Sequence, residues 1–383
     1  MELDSGISDE AYQDEILVHV SRTFALTIPQ LPQALRTAVT SAYLLCRIAD
    51  TIEDEPALSA ADTYLYLERF TAVVQGGEDA ADLARELVPR LSQSTLPAER
   101  DLVANMERVM RVVVGFDERQ RGAIRRCIEV MSRGMHHFQR ISSLRGLARL
   151  TDLDSYCYYV AGIVGETLTE LFCAYSPAVR EHYATLYALA PSFGQGLQMT
   201  NILKDVWEDR RRGACWLPQE VFSRHGVDLA GLAPGRTDAR FHAGMLELIG
   251  VAHRHLRNAL EFTLLIPGEE TGIRLFCLWA LGLAALTLRR IQLTPGFTAG
   301  AEVKVSRSAV VMTRTLTGLA VRNDRALKQL FERAARGLPL AEGAVSMKPA
   351  TLLAFCAAPH PALASALPGE EYPHSTRIGG TAQ

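Results

Sequence analysis

Apolar residues recur along most of the chain at a spacing of three to four. Phe241, Met245, Leu248, Ala252, Leu256 and Ala259 form one such stripe, the period of a helix with one buried face. Strict apolar–polar alternation, the mark of a half-buried strand, is almost absent. Proline and glycine punctuate the pattern at Pro29 and Pro32, Pro56, Gly76-Gly77, Pro97, Pro177, Pro191, Pro218, Pro234-Gly235, Pro267-Gly268, Pro295-Gly296 and Pro339. The pattern predicts an all-α, single-domain fold of about ten to twelve helices with no internal repeat. The longest apolar run, Phe276 to Leu286, falls short of the ~18 to 20 residues that span a bilayer, so it reads as a buried core helix.

The ends differ from the middle. Residues 1–15 are acidic and lack an apolar stretch, so they read as a flexible N-terminus rather than a signal peptide. Residues 16–345 hold the periodic segments. Residues 346–383 become rich in Pro, Gly, Ala and Ser, which predicts a mostly disordered tail.

Composition narrows the function classes. With 48% hydrophobic residues the chain can bury a large core. Its 40 Lys and Arg against 43 Asp and Glu give no basic excess for a nucleic-acid partner. An anionic substrate stays open, because a metal ion can supply positive charge locally. The seven cysteines are scattered without a C-x-x-C, which predicts reduced thiols and a cytoplasmic protein.

Chemistry concentrates in two motifs of the form D-x-x-E-D: Asp50, Glu53 and Asp54, and Asp205, Glu208 and Asp209. On a helix, positions i, i+3 and i+4 share a face, so each motif gathers three carboxylates. Like charges so placed repel unless a cation lies between them. Mg²⁺ takes one or two carboxylates together with waters and phosphate oxygens, so the pair of motifs suits a diphosphate held through Mg²⁺. The plainer reading is a solvated acidic helix face. Against it, both stripes continue into apolar surroundings with Tyr43 and Arg47 above the first motif and Gln198 and Asn201 above the second. Arg22, Arg47, Lys204 and the run Arg210 to Arg212 are candidate phosphate ligands; the alternative is a surface ion-pair network.

At these residues the sequence resembles the squalene/phytoene synthases, and within them most nearly the squalene synthases. Five blocks carry the likeness: Ser21 to Phe24; Tyr43 to Arg47 running into Asp50 to Asp54; Tyr156 to Gly162; Gln198 to Asn201 running into Asp205 to Asp209; and Trp216 to Glu220. They cover roughly residues 15 to 320. The resemblance implies an isoprenoid-synthase fold with a central active-site cavity and Mg²⁺ held by Asp50, Glu53, Asp54, Asp205, Glu208 and Asp209. It implies two farnesyl diphosphates as substrates, presqualene diphosphate as intermediate, and reduction by NADPH to squalene. Tyr156 matches the family's catalytic tyrosine, with Arg47 and Tyr43 beside it. Its ordinary pKa near 10 makes it a poor base unless cations lower that value; its ring is a candidate to steady an allyl cation. The alternative is an aromatic cluster in a core helix. Gln198 and Asn201 are candidates to orient phosphate, and Phe24 and Phe276 to wall the isoprenoid chain. Gly162 and Gly165 mark a bend or a close approach.

The match loosens at the reductive step. No G-x-G-x-x-G follows a strand, which argues against a Rossmann site, and the resemblance implies NADPH binding without one. Lys304 and Arg307 are the candidates for the cofactor's 2′-phosphate, but Ser306 and Ser308 stand where the family pattern has a base and a glycine. Phe276-Cys277 also lacks the Pro-Gln pair that follows in the family. The anchoring C-terminal helix of eukaryotic members is not seen, so a soluble bacterial-type form is expected, with loose membrane association left open by a greasy product. Three rivals stand beside squalene formation: an enzyme that stops at dehydrosqualene or phytoene, a terpene cyclase, and a non-catalytic isoprenoid-binding subunit. A cyclase is disfavoured by the second D-x-x-E-D, and a scaffold by the uncompensated carboxylates.

Overall fold

A computed structural model describes residues 6–21 and 23–343. Arg22 and the stretch expected as a tail, 346–383, lie outside the described residues. Among the described residues no strand forms, and the one β-bridge pairs Leu147 with Pro218. Twelve helices carry the architecture: α1 (Asp9–Val20), α2 (Gln33–Glu53), α3 (Ala60–Gln75), α4 (Glu118–Ile141), α5 (Leu150–Cys157), α6 (Ile163–Tyr175), α7 (Tyr183–Lys204), α8 (Val206–Arg211), α9 (Ala239–Leu265), α10 (Thr271–Leu293), α11 (Arg307–Ala320) and α12 (Asp324–Ala334).

Six further segments bring the α-helical total among the described residues to eighteen, above the ten to twelve expected. The excess comes from breaks that periodicity does not register. Asn105 separates two helices whose stripes run on across it, and Asp205 separates α7 from α8.

Helix α1 starts at Asp9, inside the stretch 1–15 expected to be flexible. The Ser8 hydroxyl caps it by accepting from the amide of Ala11. Tyr12, Ile16, Leu17 and Val20 turn inward at helical spacing and are buried. Asp9 pairs with both Arg108 and Arg111, which fastens the helix start to the body of the fold.

Helix α7 is the central element and packs against α6, α9 and α10. Pro191 lies inside it, not between helices as its punctuation suggested. A proline there removes one backbone hydrogen bond, a bend that neighbouring helices must support. Between α5 and α6 the chain makes one π-turn, Tyr158–Gly162. Two glycines then let α7 touch α6 and the π-turn backbone to backbone. A Cβ on Gly165 would overlap the carbonyl of Ala190, and one on Gly194 would overlap that of Ala161. Close helix approach is therefore what Gly165 serves.

A buried polar chain ties α5, α7 and α9 together. His255 Nε2 lies 2.9 Å from Asp154 Oδ1, and its Nδ1 lies 3.1 Å from Ser192 Oγ. Gln195 donates to the Asp154 carbonyl. Each polar atom so satisfied avoids the cost of an unpaired buried group.

Helix α10 is long and apolar enough, by length and composition, to cross a membrane, but 61% of that window is buried inside the fold. It is a core helix, with Phe276, Cys277, Leu281, Ala285 and Leu288 fully enclosed. Every cysteine in the described residues is buried and free.

Candidate active site

The first acidic motif ends α2. Asp50 and Glu53 belong to its last turn and Asp54 is its C-cap. A helix C-terminus carries partial negative charge, so three carboxylates are worse placed there than almost anywhere on a helix. The second motif does not lie on one continuous helix as expected. Asp205 caps the end of α7, and Glu208 and Asp209 sit in the first turn of α8.

The two motifs face each other. Arg212, just beyond α8, reaches across to Asp54, with Nη1 3.4 Å from Oδ2. Burial pushes the Asp209 carboxyl up to about 7, with Asp205 and Asp54 adding to the rise. Burial likewise pushes Asp50 up to about 6 and Glu53 well above the usual carboxylate range. Yet the Asp50 side chain keeps 39% of its surface open and that of Asp205 37%. Groups that are surrounded by protein yet still touched by solvent line a hollow.

Positive groups line its rim. Arg47 stands between Asp50, at 3.4 Å, and Glu99, at 3.2 Å. Lys204 lies 3.1 Å from Asp205 and donates to Asn201 Oδ1 at 3.2 Å. Gln198, one helical turn above, is half-buried, and Asn201 is exposed.

Tyr156 lies between the clusters. Burial drives its hydroxyl far above its ordinary pKa, with Glu53, Asp54 and Asp209 contributing. The ring stacks on Trp216, centroids 4.0 Å apart, and meets Phe138 edge-on at 5.2 Å. Tyr43 lies above Arg47 on α2 and donates to the Val20 carbonyl at 3.3 Å. Phe24 packs 5.0 Å from Tyr43 and 6.5 Å from Phe276, whose ring abuts Phe172. These rings form one apolar wall on the α2 side.

Lys304 and Arg307 stand apart and are exposed. They flank the start of α11, where Ser306 caps the helix by accepting from the Ala309 amide. The preceding turn touches the site, since the Gly300 amide donates to Glu208 Oε1 at 3.0 Å.

The donor set suits Mg²⁺. Glu208 Oε2 is buried with no hydrogen-bond partner among the described residues, an oxygen that wants a cation. Among the described residues no three His, Cys, Asp or Glu side chains close up into a ready-made cage. The carboxylate set read from the sequence thus lines two walls of a hollow rather than one compact cluster.

Glu99, Trp216 and Gly300 were not singled out from the sequence. Trp216 stood in a recognised block without a role. Nothing near Glu99 distinguishes it from any other first-turn acid after Pro97.

Comparison with known proteins agrees with this architecture. The squalene/phytoene synthase family model matches residues 17–309. Squalene synthase ERG9 of Candida albicans is 28% identical over 323 residues, 80% of this chain and 67% of that protein. A ligand complex of TcSQS superposes with a TM-score of 0.65 at 22% identity, covering 86% of this chain and 98% of that one. A dehydrosqualene synthase in complex with ligand gives 0.57 at 24% identity, over 80% and 94%. These two likenesses concern the fold. With the family model spanning well over half of its length, the chain belongs to the squalene/phytoene synthase family and is an enzyme of its prenyltransferase type.

Proposed function

We propose that this enzyme condenses two farnesyl diphosphates head to head through presqualene diphosphate and reduces the product to squalene with NADPH. The observation that carries the reading is the approach of the two carboxylate motifs, with Arg212 of one side on Asp54 of the other and Tyr156 near both.

The chain's own groups divide the work. Asp50, Glu53, Asp54, Asp205, Glu208 and Asp209 would hold Mg²⁺, which when bound would supply charge neutralisation for a departing diphosphate. Arg47 and Lys204 add donors for phosphate oxygens at the rim. Tyr156 is buried between the two motifs, and burial drives its hydroxyl up. It serves the allyl cation through its ring and its hydroxyl, and the proton lost on closing the cyclopropane goes to the departed diphosphate. Phe24, Phe276 and Tyr43 shield the isoprenoid chain from water. Lys304 and Arg307, at the start of a helix whose N-terminus favours anions, hold the cofactor's 2′-phosphate.

A second reading, release of dehydrosqualene without reduction, is favoured by Ser306 and Ser308 in the cofactor segment. Incubation with farnesyl diphosphate and Mg²⁺, with and without NADPH, separates them by mass spectrometry. Squalene formed only with NADPH supports the first reading. An unreduced C30 hydrocarbon in both reactions replaces it with the second. No C30 product in either removes both.

A further inference from the structure

Helix α11 is amphipathic in the wrong sense for a helix on a water-soluble body. Its buried residues are only Thr317 and Ala320, and Thr317 Oγ1 accepts from Trp279 Nε1 of α10. Four apolar side chains stay open to solvent: Val311, 60% exposed, Met312, 62%, Leu316, 40%, and Leu319, 82%, with Met312 and Leu316 on the side that borders a cavity. Positions 312, 316 and 319 follow helical spacing, so these side chains form one stripe rather than scattered exceptions.

The charge around the stripe is one-sided. Residues 304–336 hold eight Lys and Arg, all exposed, against only Asp324 and Glu332. Both acids are already engaged with arginines of the core helices: Asp324 with Arg274 and Glu332 with Arg257. The chain as a whole has a formal charge of −3, so this hairpin of α11 and α12 is a basic island. Beneath α11, an apolar cavity of about 370 Å³ reaches down between α10 and α12, with Met312 and Leu316 at α11 and Leu278, Leu281, Leu286 and Phe331 among its walls.

We infer that the α11 face docks on an anionic lipid bilayer, lying in the interface with Val311, Met312, Leu316 and Leu319 among the acyl chains and the flanking basic residues at the headgroups. An apolar stripe inside a basic border is the pattern of a helix that lies in a membrane surface. A soluble polyanion would meet the basic border but leave the four apolar side chains bare. A cavity opening beside the stripe suits an occupant that offers flexible hydrocarbon chains. The inference rests on this face alone and does not depend on which product the active site releases.

The test is co-sedimentation of the full chain with vesicles. Binding is expected to vesicles of phosphatidylcholine with phosphatidylglycerol, to weaken on phosphatidylcholine alone, and to fall as salt rises. The double variant Val311→Ser/Leu319→Ser should bind at least about tenfold more weakly, while its turnover in detergent stays at the parent level. Arg325→Glu/Lys328→Glu should lose the preference for anionic vesicles. Absence of binding to mixed vesicles at low salt overturns the inference. So does equal binding by Val311→Ser/Leu319→Ser. Retention on heparin without vesicle binding also overturns it, and points to a soluble polyanion.

Discussion

The ring of Tyr156 lies flat against that of Trp216, planes within 10° and centroids 4.0 Å apart. The stack fixes where the Tyr156 hydroxyl points between the two acidic clusters. Trp216→Ala keeps the phenol but frees its direction. A misplacement of about 1 Å costs on the order of 10² in rate, so presqualene diphosphate formation is expected to drop by about that factor. Tyr156→Phe should cut the same step at least as deeply. Single-turnover assays of the intermediate check both; parent-level formation by Tyr156→Phe would remove the residue from the first half-reaction.

Neutralising one carboxylate in either motif should disable catalysis without unfolding the chain. Asp50→Asn and Asp209→Asn are each expected to lose about 10² to 10³ in kcat, the scale of removing one group that steadies developing charge. Their helical circular dichroism should match the parent, and metal-free protein should melt slightly higher, because a buried like charge has gone. Retained turnover would separate the motifs from the chemistry.

Backbone contact of α7 with α6 and with the π-turn predicts intolerance at two glycines. Gly165→Ala and Gly194→Ala each drive a methyl into a carbonyl group with no flexible side chain to yield. A loss of about 3 kcal/mol is expected for each, measured by urea unfolding. Parent stability in either would mean the helices separate at little cost.

Charge reversal at Lys304 and Arg307 should act on the second half-reaction alone. Lys304→Glu/Arg307→Glu is expected to raise the KM for NADPH by more than about tenfold while presqualene diphosphate still forms. An unchanged KM would place the 2′-phosphate elsewhere.

Acid should weaken the anchoring of the N-terminal helix. Two arginines hold the Asp9 carboxyl down at about 2 from an ordinary 3.8, with the Arg111 hydrogen bond the larger cause. A depressed carboxyl stabilises the fold above its unfolded value and loses that contribution as pH falls from about 4 through 2. Asp9→Asn should therefore cost about 1 to 2 kcal/mol at pH 7, a deficit that closes near pH 2. Denaturant titrations of both proteins across that window measure it.

The helical class and the two acidic motifs were legible in the sequence because each depends on short spacing. Asp50, Glu53 and Asp54 advertise their shared face at i, i+3 and i+4 whatever surrounds them. Where the helices stop was not legible, since Asp205 takes a capping conformation that only its tertiary neighbours select. The early start of α1 was written in Ser8 and the stripe Tyr12, Ile16 and Val20, but the acidic residues around it mask the signal. Glu99 reaches Arg47 from a helix some fifty positions away, a pairing that no local pattern encodes. The turn before Lys304 meets the second motif through the single amide of Gly300, a contact that spacing does not announce.

The π-turn at Tyr158–Gly162 sets the phase between two demands on neighbouring stretches of chain. A helix advances about 100° per residue, so one extra residue in a turn rotates everything beyond it by roughly that angle. The segment carrying Tyr156 can thereby aim at the hollow while Gly165, downstream, aims at α7. Deleting any one residue of the turn would restore an unbroken spiral and leave only one of the two aims satisfied, which makes this loop of backbone the clutch between catalytic presentation and structural support.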